Sequence, residues 1–285
     1  MKDVSNAMRA QILTAAVPYI KQYTDQYVVV KYGGNAMIDE ELKKSVMKDL
    51  LLLQLVGVKV VLVHGGGPAI NSTLDAMKIE SRFANGLRVT DEATMDVVQM
   101  VLAGKVNKGL VADLTDLGGK AVGLCGVDGN MIQVHKQNDE LGYVGSIDTI
   151  DTSIIDDVIS RGYIPVISSI GMGADGKTYN INADTVAAKI AGALKAETMV
   201  AMTNIDGVLK DVHDPESLIS KITMAEAEQL KVDGIIAGGM IPKVDCCLEA
   251  IEAGAQKVFI INGEIPHAIL IELLTDEGLG TMFVA

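Results

Sequence analysis

Long apolar runs are missing from this sequence. The run Val58–Val63 is followed at once by the polar and glycine residues His64–Gly67, and no stretch approaches the roughly 20 apolar residues that a membrane-spanning helix needs. The N-terminus is charged at Lys2, Asp3 and Arg9 and has no apolar signal core or small-residue cleavage site. We therefore expect no membrane association and a cytoplasmic location, although a plastid protein without its transit peptide would look the same.

Cysteine is also scarce. Cys125, Cys246 and Cys247 are an odd number with one adjacent pair, which is a poor framework for disulfides. No CxxC motif or histidine pair accompanies them, so the sequence does not indicate a zinc site, and we predict no protein metal site. We expect three reduced thiols in the core.

Positive charge is in the minority. The chain has 24 Lys and Arg residues against 37 Asp and Glu residues, a formal net charge of -13. Nothing in the pattern suggests the basic stripe that displaces counterions from nucleic acid, so we expect no nucleic-acid partner. An acidic chain can still bind an anion where a few cations and helix N-termini converge.

Short apolar strands alternate with amphipathic helices along most of the chain. This alternation predicts an α/β protein with a mainly parallel central sheet, covered by helices on both faces. The predicted strands are Tyr27–Lys31, Val58–Val63, Lys120–Leu124, Met131–His135, Ile164–Ser168, Met199–Thr203 and Lys257–Ile261. The predicted helices are Glu40–Leu55, Ala69–Met77, Glu92–Leu117 with a break near Gly104, Thr185–Leu194 and Lys243–Ala253.

One more helix is predicted before the first strand. Apolar residues recur at helical spacing over Asn6–Tyr23, for example at Met8, Ile12 and Ile20. Such a helix packs either on its own chain or on a neighbouring subunit. A boundary between two lobes is expected around Asn180–Asp184, where a hairpin-like stretch meets a helix.

The segment Gly171–Thr178 matches two nucleotide-binding patterns by spacing, GxxxxGK[ST] and GxGxxG. Both motifs require a helix directly after the glycines, so that its free amides meet phosphate. Here Tyr179–Asn182 alternates like a strand, and Asp175-Gly176 is a hairpin-turn signal. We interpret the segment as a β-hairpin and not as a phosphate loop.

Two other glycine loops stand in a better context. Lys31–Asn35 follows the first strand, and His64–Pro68 follows the second strand and opens a helix. Glycines at the carboxyl end of a strand let the backbone approach a ligand and present free amides, and ligands bind at that edge of an open parallel sheet. A purely structural turn is the alternative for the triple glycine. Lys31 either projects into the ligand cleft, which we favour, or extends to the surface.

Three charged residues are further candidates. Lys243 follows the glycine loop Gly238-Gly239 and would be an ordinary exposed lysine if it stood alone. Asp184 begins a helix, where it either interacts with the helix dipole or orients the lysines or a metal around a phosphoryl group. Arg88 follows a turn, and arginine is the preferred partner of a carboxylate because its fork binds both oxygens.

These segments together resemble the N-acetylglutamate kinases of the amino acid kinase family. The resemblance covers essentially the whole chain, and its motifs occur in family order. The segments are Lys31–Gly34, His64–Pro68, Asn85–Thr90, Asn180–Asp184 and Gly238–Lys243. The first segment, which begins with lysine and contains two glycines, is shared with the carbamate, aspartate, glutamate and uridylate kinases, whereas the last three segments together are more specific.

The resemblance implies a fold and a set of roles. The fold would be a three-layer αβα sandwich, with an oligomerisation helix at 1–24, an acyl-substrate and dimerisation lobe at 25–180 and an ATP lobe at 181–285. Lys31 and Lys243 would stabilise the phosphoryl group, held in place by Asp184. Residues implied in substrate binding are Gly66, Gly67, Arg88, Asn180 and Asn182; those implied in ATP binding are Gly33, Gly34, Asn204, Asp206, Gly207, Leu209 and Gly239.

The implied reaction is phosphorylation of the γ-carboxylate of N-acetyl-L-glutamate by ATP, with Mg²⁺ held mainly through the ATP phosphates. A carboxylate is already ionised at neutral pH, so its attack needs no general base. Positioning and electrostatic stabilisation then supply the catalysis. The alternatives are a sibling kinase acting on acetylaminoadipate or a related acid, and an inactive arginine sensor.

The resemblance also implies regulation. An added N-terminal helix is typical of the arginine-sensitive members, which join three dimers into a hexamer. Feedback inhibition by L-arginine would then involve Tyr23, His267, Glu272 and Gly278. The alternative is that His267 only caps a helix and that the first helix only packs. The sequence leaves open whether a PII signalling protein binds.

Overall fold

A computed structural model describes residues 5–84 and 86–285, with Asn35 described by its backbone alone. The predicted Asn85 therefore lies outside the described residues. The α-helices are α1 Asn6–Ala15, α2 Val17–Tyr23, α3 Glu40–Leu55, α4 Gly67–Met77, α5 Glu92–Gln99, α6 Asn107–Asp116, α7 Ser153–Ser160, α8 Ala183–Ala193, α9 Met224–Val232, α10 Met240–Glu252 and α11 Ala268–Leu274. A π-helical segment, Met100–Val106, joins α5 to α6.

The strands are β1 Tyr27–Tyr32, β2 Lys59–His64, β3 Arg82–Ala84, β4 Leu87–Val89, β5 Ala121–Cys125, β6 Ile132–Lys136, β7 Gly145–Ile150, β8 Ile164–Ser168, β9 Ile170–Gly173, β10 Thr178–Asn180, β11 Thr198–Thr203, β12 Lys221–Thr223, β13 Lys257–Asn262 and β14 Thr281–Val284. Over the described residues, eight strands form the central sheet in the order β12-β14-β13-β11-β1-β2-β8-β5. Every pair in it is parallel except β13 with β14.

Two apolar cores cover the two faces of this sheet. Val29 of β1 packs into one core with α7, α8, α9 and α10, whereas Val28 and Val30 pack into the other core with α2, α3, α6 and α11. Successive side chains of a strand point to opposite faces, so a strand of valines can supply both cores. The predicted α/β fold with helices on both faces of a mainly parallel sheet is confirmed.

The strand order divides the central sheet into an earlier and a later part of the chain. Strands β1, β2, β5 and β8 form one half, and β11 to β14 form the other, with β1 paired to β11 at the junction. Helix α8 begins at Ala183, inside the stretch Asn180–Asp184 where the boundary between lobes is expected.

Several sequence predictions are corrected by the structure. The strand predicted at Met131–His135 exists as β6, but it belongs to a second sheet of order β10-β9-β6-β7 and not to the central one. The helix predicted over Asn6–Tyr23 is interrupted at Ala16, before Pro18. The helix predicted from Lys243 begins three residues earlier, so Lys243 lies inside its first turn.

The segment Gly171–Thr178 lies in an antiparallel hairpin of β9 and β10, as predicted. The three cysteines carry free thiols, but only Cys247 is buried; Cys125 and Cys246 are half-buried, in contrast to the expected three core thiols. Among the described helices, none has the length and apolar character required to cross a membrane.

Candidate active site at the edge of the central sheet

The carboxyl ends of the parallel strands bring the predicted residues to one edge of the sheet. β1 and β2 pair in register, so that Lys31 lies beside Val63 and Tyr32 beside His64. The two glycine loops that follow these strands are therefore neighbours. Lys31 is 8% exposed, and its ammonium projects into the cleft between the loops instead of extending to the surface.

An ion array links Lys31 to the second half of the sheet. Its Nζ lies 2.9 Å from Oδ1 of Asp184, and Nζ of Lys243 lies 3.9 Å from Oδ2 of the same carboxylate. Asp184 stands in the first turn of α8, where the helix dipole also favours a negative charge. The structure thus brings the three predicted catalytic side chains together.

The two lysines decide the ionisation of Asp184. Burial alone would raise the pKa of this carboxyl, but the charges of Lys31 and Lys243 and a hydrogen bond from Lys31 hold the pKa below its ordinary value. Asp184 is therefore a carboxylate at neutral pH. One negative charge lies between two positive charges, so the array has a surplus positive charge that can meet an anion.

Arg88 lies in the same cleft, on β4. It is buried, and its guanidinium donates to the Asn71 side-chain oxygen at 2.6 Å and to the Ser81 hydroxyl, while the Phe83 ring lies 4.7 Å away. Burial lowers its pKa, and no carboxylate of the described residues forms an ion pair with it. A buried cation without an acidic partner is suited to an anionic ligand.

The predicted substrate residues line one cavity of about 310 Å³. Asn180 also donates to the Thr90 hydroxyl at 3.3 Å, and the side-chain oxygen of Asn182 accepts from the Asp184 amide at 2.8 Å, which caps α8. Phe83 and Ser169, which no sequence motif marks, share the cavity. The predicted residues that line it are Lys31, Gly33, Gly34, Gly66, Gly67, Arg88, Asn180, Asn182 and Asp184.

A second cavity of about 630 Å³ lies against the other half of the sheet. Lys243 lines it, so the ion array reaches from the first cavity to the second. No sequence motif marks Asn262, although it ends β13 at the same sheet edge. Its side-chain amide donates to Asp206 at 2.7 Å. The predicted ATP residues that line this cavity are Asn204, Asp206, Gly207, Leu209 and Gly239.

The residues predicted to bind ATP are divided between these two cavities. Gly33 and Gly34 lie in the first cavity, beside Lys31. A third cavity of about 620 Å³ contains Asp184, Lys243 and Gly239 together and opens between α8 and α10. A ligand that spans both halves of the sheet would therefore pass directly over the ion array.

The predicted effector residues lie elsewhere. Oε2 of Glu272 accepts hydrogen bonds from the amides of Leu279 at 2.7 Å and Gly280 at 3.1 Å, and a Cβ at Gly278 would lie 2.9 Å from Oε1. Glu272 and Gly278 are thus neighbours. Tyr23 ends α2, which contacts α11, and the ammonium of Lys257 lies 4.9 Å from the Tyr23 ring.

His267 does not use its side chain as a helix cap. It occupies the N-cap position of α11 with φ 61°, but its side chain makes no capping hydrogen bond. Instead Nδ1 lies 2.6 Å from Oδ1 of Asp49 on α3, and its backbone amide donates to the Ser45 hydroxyl at 2.7 Å. His267 therefore ties the start of α11 to α3.

The first helix does not pack on the body of the chain. No residue of α1 is buried, and Met8, Ile12 and Leu13 are 50%, 58% and 73% exposed. Helix α1 therefore buries no apolar side chain on its own chain, in contrast to α2, whose Tyr23 is buried.

The chain is similar to known proteins along nearly its whole length. Residues 26–262 match the amino acid kinase family. The chain belongs to the amino acid kinase family. Among curated relatives, it is similar to the acetylglutamate kinases of Brachyspira hyodysenteriae (53% identical, covering 99% of both chains), Clostridium beijerinckii (50%, covering 98% and 99%) and Nostoc punctiforme (51%, covering 98% and 94%).

Solved structures agree on the fold. An N-acetylglutamate synthase from Neisseria gonorrhoeae, in complex with coenzyme A and N-acetyl-glutamate, matches with a TM-score of 0.84 and 27% identity. The match covers 97% of this chain and 63% of the synthase. A carbamate kinase from Giardia lamblia matches at 18% identity with a TM-score of 0.64, over 91% of this chain and 98% of the kinase, and shares the fold.

Proposed function

We propose that the chain is an acetylglutamate kinase, which transfers the γ-phosphoryl group of ATP to the γ-carboxylate of N-acetyl-L-glutamate and forms N-acetyl-L-glutamyl 5-phosphate for arginine biosynthesis. The observation that carries the proposal is the array of Lys31, Asp184 and Lys243, which reaches from the smaller cavity to the larger one. The full-length similarity to acetylglutamate kinases supports the choice of substrate.

Each side chain has a task in this reaction. Two anions must approach each other while negative charge spreads over the phosphoryl oxygens, so the transition state needs fixed positive charge more than it needs a base. Lys31 and Lys243 supply that charge from the two sides, and Asp184 fixes both ammonium groups. The free amides of Gly66 and Gly67 would bind the acyl substrate.

The two cavities suit the two substrates. The cavity of about 310 Å³ contains the buried Arg88, whose guanidinium would bind the α-carboxylate of the acyl substrate together with Asn180. The cavity of about 630 Å³ would take the adenosine part of ATP. The lobes 25–180 and 181–285 would accordingly bind one substrate each, with the γ-phosphate of ATP meeting the γ-carboxylate of the acyl substrate over the ion array.

Magnesium would enter on the nucleotide. Among the described side chains there is no group of three or more His, Cys, Asp or Glu residues arranged to hold a metal ion, and the carboxylate of Asp184 already faces two lysines. The donor set is therefore suited to Mg²⁺ brought in as the MgATP complex, coordinated mainly by phosphate oxygens.

Coupled ATP turnover with N-acetyl-L-glutamate, L-glutamate and acetylaminoadipate tests the substrate. We expect strong turnover with acetylglutamate alone. Preference for acetylaminoadipate would keep the mechanism and change the substrate, because one methylene group is worth only ~1–3 kcal/mol of discrimination. No turnover with any of the acids would favour the inactive arginine sensor.

We further propose that a cytoplasmic hexamer of three dimers forms through α1 and that L-arginine inhibits it. The exposed apolar residues of α1 support a neighbouring subunit as its partner. Burial raises the pKa of Glu272, and no Lys or Arg among the described residues pairs with this carboxylate, so the guanidinium of arginine would supply the missing charge. Tyr23 and His267 would border this site. PII remains a candidate partner.

Removal of residues 1–22 tests the role of α1. We expect the shortened chain to form dimers with weakened arginine inhibition, measured by light scattering and by inhibition curves. A hexamer that persists without these residues would contradict the proposal.

A further inference from the structure

A buried polar pair lies behind the triple-glycine loop, and the reaction proposed above does not use it. His64 ends β2 and Asn107 begins α6; their exposed fractions are 0% and 1%. Nδ2 of Asn107 lies 3.1 Å from Nε2 of His64, and Nδ1 of His64 lies 2.8 Å from the carbonyl oxygen of Gly65. Burial of polar groups away from water destabilises the folded state unless each group is hydrogen-bonded.

The neighbours of Asn107 fix the direction of its amide. Nζ of Lys108 lies 3.1 Å from Oδ1, and an ammonium group can only donate, so that atom is the oxygen. The amide nitrogen donates at 2.8 Å to the carbonyl of Val166, and its second hydrogen faces Nε2 of His64 at 3.1 Å and the carbonyl of Leu124 at 3.3 Å. Because an amide nitrogen donates and does not accept, Nε2 of His64 must be the acceptor.

The proton of the ring then lies on Nδ1, because a neutral imidazole has one donor and one acceptor. Burial lowers the pKa of His64 to about 4, which agrees with a neutral ring at pH 7. The Nδ1–H group donates to the carbonyl of Gly65. In this way Asn107 selects the tautomer, and the tautomer holds the peptide group that joins Gly65 to Gly66.

Holding that carbonyl also sets the direction of an amide. In a trans peptide group the C=O and N–H bonds point in opposite directions, so the Gly66 amide points away from His64. The Gly65 amide donates to Tyr32 at 3.0 Å, and the Gly66 carbonyl accepts from Ile70 at 2.9 Å. Among the described residues, the amides of Gly66 and Gly67 have no acceptor, and both glycines line the substrate cavity.

Close packing keeps the pair in this arrangement. A Cβ at Gly123 would lie 1.9 Å from Oδ1 of Asn107, and a Cβ at Gly66 would lie 2.6 Å from the Leu102 side chain. Leu102 belongs to the π-helical segment that directly precedes Asn107. Short π-helical stretches are frequent at functional sites. Side chains larger than hydrogen at these two glycines would displace the loop or Asn107.

We propose that His64 and Asn107 are positioning residues for phosphoryl transfer, which fix the Gly65–Gly66 peptide so that the Gly66 amide donates to the charge that develops in the transition state. The inference rests on the proposed kinase activity. Neither side chain touches substrate; both act through the backbone of the loop.

The kinetic test compares two variants of similar shape. His64→Asn places an amide N–H near the position of Nδ1–H, whereas His64→Leu keeps the bulk and has no donor. We expect His64→Leu to lower kcat by about 10²-fold, as the loss of one preorganised donor does, with the KM for ATP unchanged. His64→Asn should retain kcat within about threefold, since the donor is restored. Equal losses in both variants, or full kcat in His64→Leu, would overturn the inference.

A second measurement reads the His64 ring in the unaltered protein and uses a variant only to assign its signal. The ¹⁵N shifts of histidine rings report the tautomer, and His64→Asn identifies the His64 signal among the four histidines. We expect the Nδ1–H tautomer at pH 7. The Nε2–H tautomer in an active enzyme would overturn this inference alone, whereas absence of turnover in the unaltered protein would overturn the proposed function and, with it, the role given to His64.

Discussion

Asp184 and Asp49 are both carboxylates withdrawn from solvent, with side chains 19% and 1% exposed, yet their surroundings shift their pKa in opposite directions. Asp184 faces Lys31 and Lys243, and its pKa is lowered. Asp49 faces His267, and burial raises its pKa to about 6 although the hydrogen bond and charge of His267 and a backbone hydrogen bond from Leu270 oppose this. Two lysines outweigh burial at the sheet edge, and a single histidine does not outweigh it between α3 and α11.

The difference separates two kinds of region in this molecule. At the sheet edge, the positive charge needed to hold an anion is built into the chain and stays in place. Near α11, the carboxyl groups of Asp49 and Glu272 are both shifted towards protonation by burial. The first region suits catalysis by fixed charge. The second suits a response to something added from outside, a proton or a cationic ligand.

Removal of Lys31 should produce the largest effect. In Lys31→Ala, Asp184 keeps only the more distant Lys243, and the phosphoryl group loses one fixed cation. We expect kcat to fall by about 10²- to 10³-fold, measured by coupled ATP turnover. The matched control is Lys59→Ala, which removes a lysine from the opposite end of the neighbouring strand β2 and should retain turnover. Unchanged turnover in Lys31→Ala would remove this residue from the catalytic array.

Protonation of Asp49 should add about 3 kcal/mol to the free energy of unfolding, and this contribution should depend on pH. Its pKa of about 6 in the folded chain lies above its ordinary value of 3.8, so the folded state binds the proton more tightly. The resulting stability is fully present below about pH 4 and is lost as the pH rises through 6; two pKa units correspond to about 3 kcal/mol.

The measurement is urea unfolding of the unaltered protein and Asp49→Asn at fixed protein concentration. The free energy of unfolding of the unaltered protein, minus that of Asp49→Asn, should fall by about 3 kcal/mol between pH 3 and pH 7. Asp116→Asn, at the exposed end of α6, is the control and should follow the unaltered protein. A difference that does not vary with pH would contradict the raised pKa of Asp49.

The sequence was most informative where one element decides its own structure. Helix α3 has the bounds that its periodicity predicts, Glu40–Leu55, because Asp39 caps it and its apolar face is regular. The valines of β1 and β2 predict buried parallel strands, and with them the shared edge where Lys31 and the glycine loops meet. The parallel strand order alone therefore predicts that these candidates lie at one edge of the sheet.

The parts that were missed depend on contacts distant in sequence. Asp184 and Lys31 stand on elements more than a hundred residues apart, so their pairing followed from the family resemblance and not from spacing. His267 pairs with Asp49 on α3, and Asn107 reaches His64 through a π-helical segment. No local pattern predicts these contacts, because burial and neighbouring strands create them. The same reason explains why β6 was assigned to the wrong sheet.

Glu272→Gln should give the smallest effect of the three, and it tests whether the second region responds to arginine. Glutamine keeps an oxygen that can accept from the Leu279 and Gly280 amides, but it has no negative charge for a guanidinium. A charge-assisted hydrogen bond is worth ~1.5–3 kcal/mol, so the arginine concentration for half inhibition should rise by about tenfold or more. Glu277→Gln neutralises an exposed glutamate in the loop that follows α11 and should leave this concentration unchanged. If both variants responded to arginine as the unaltered enzyme does, the carboxylate of Glu272 would have no part in inhibition, and its raised pKa would reflect burial alone.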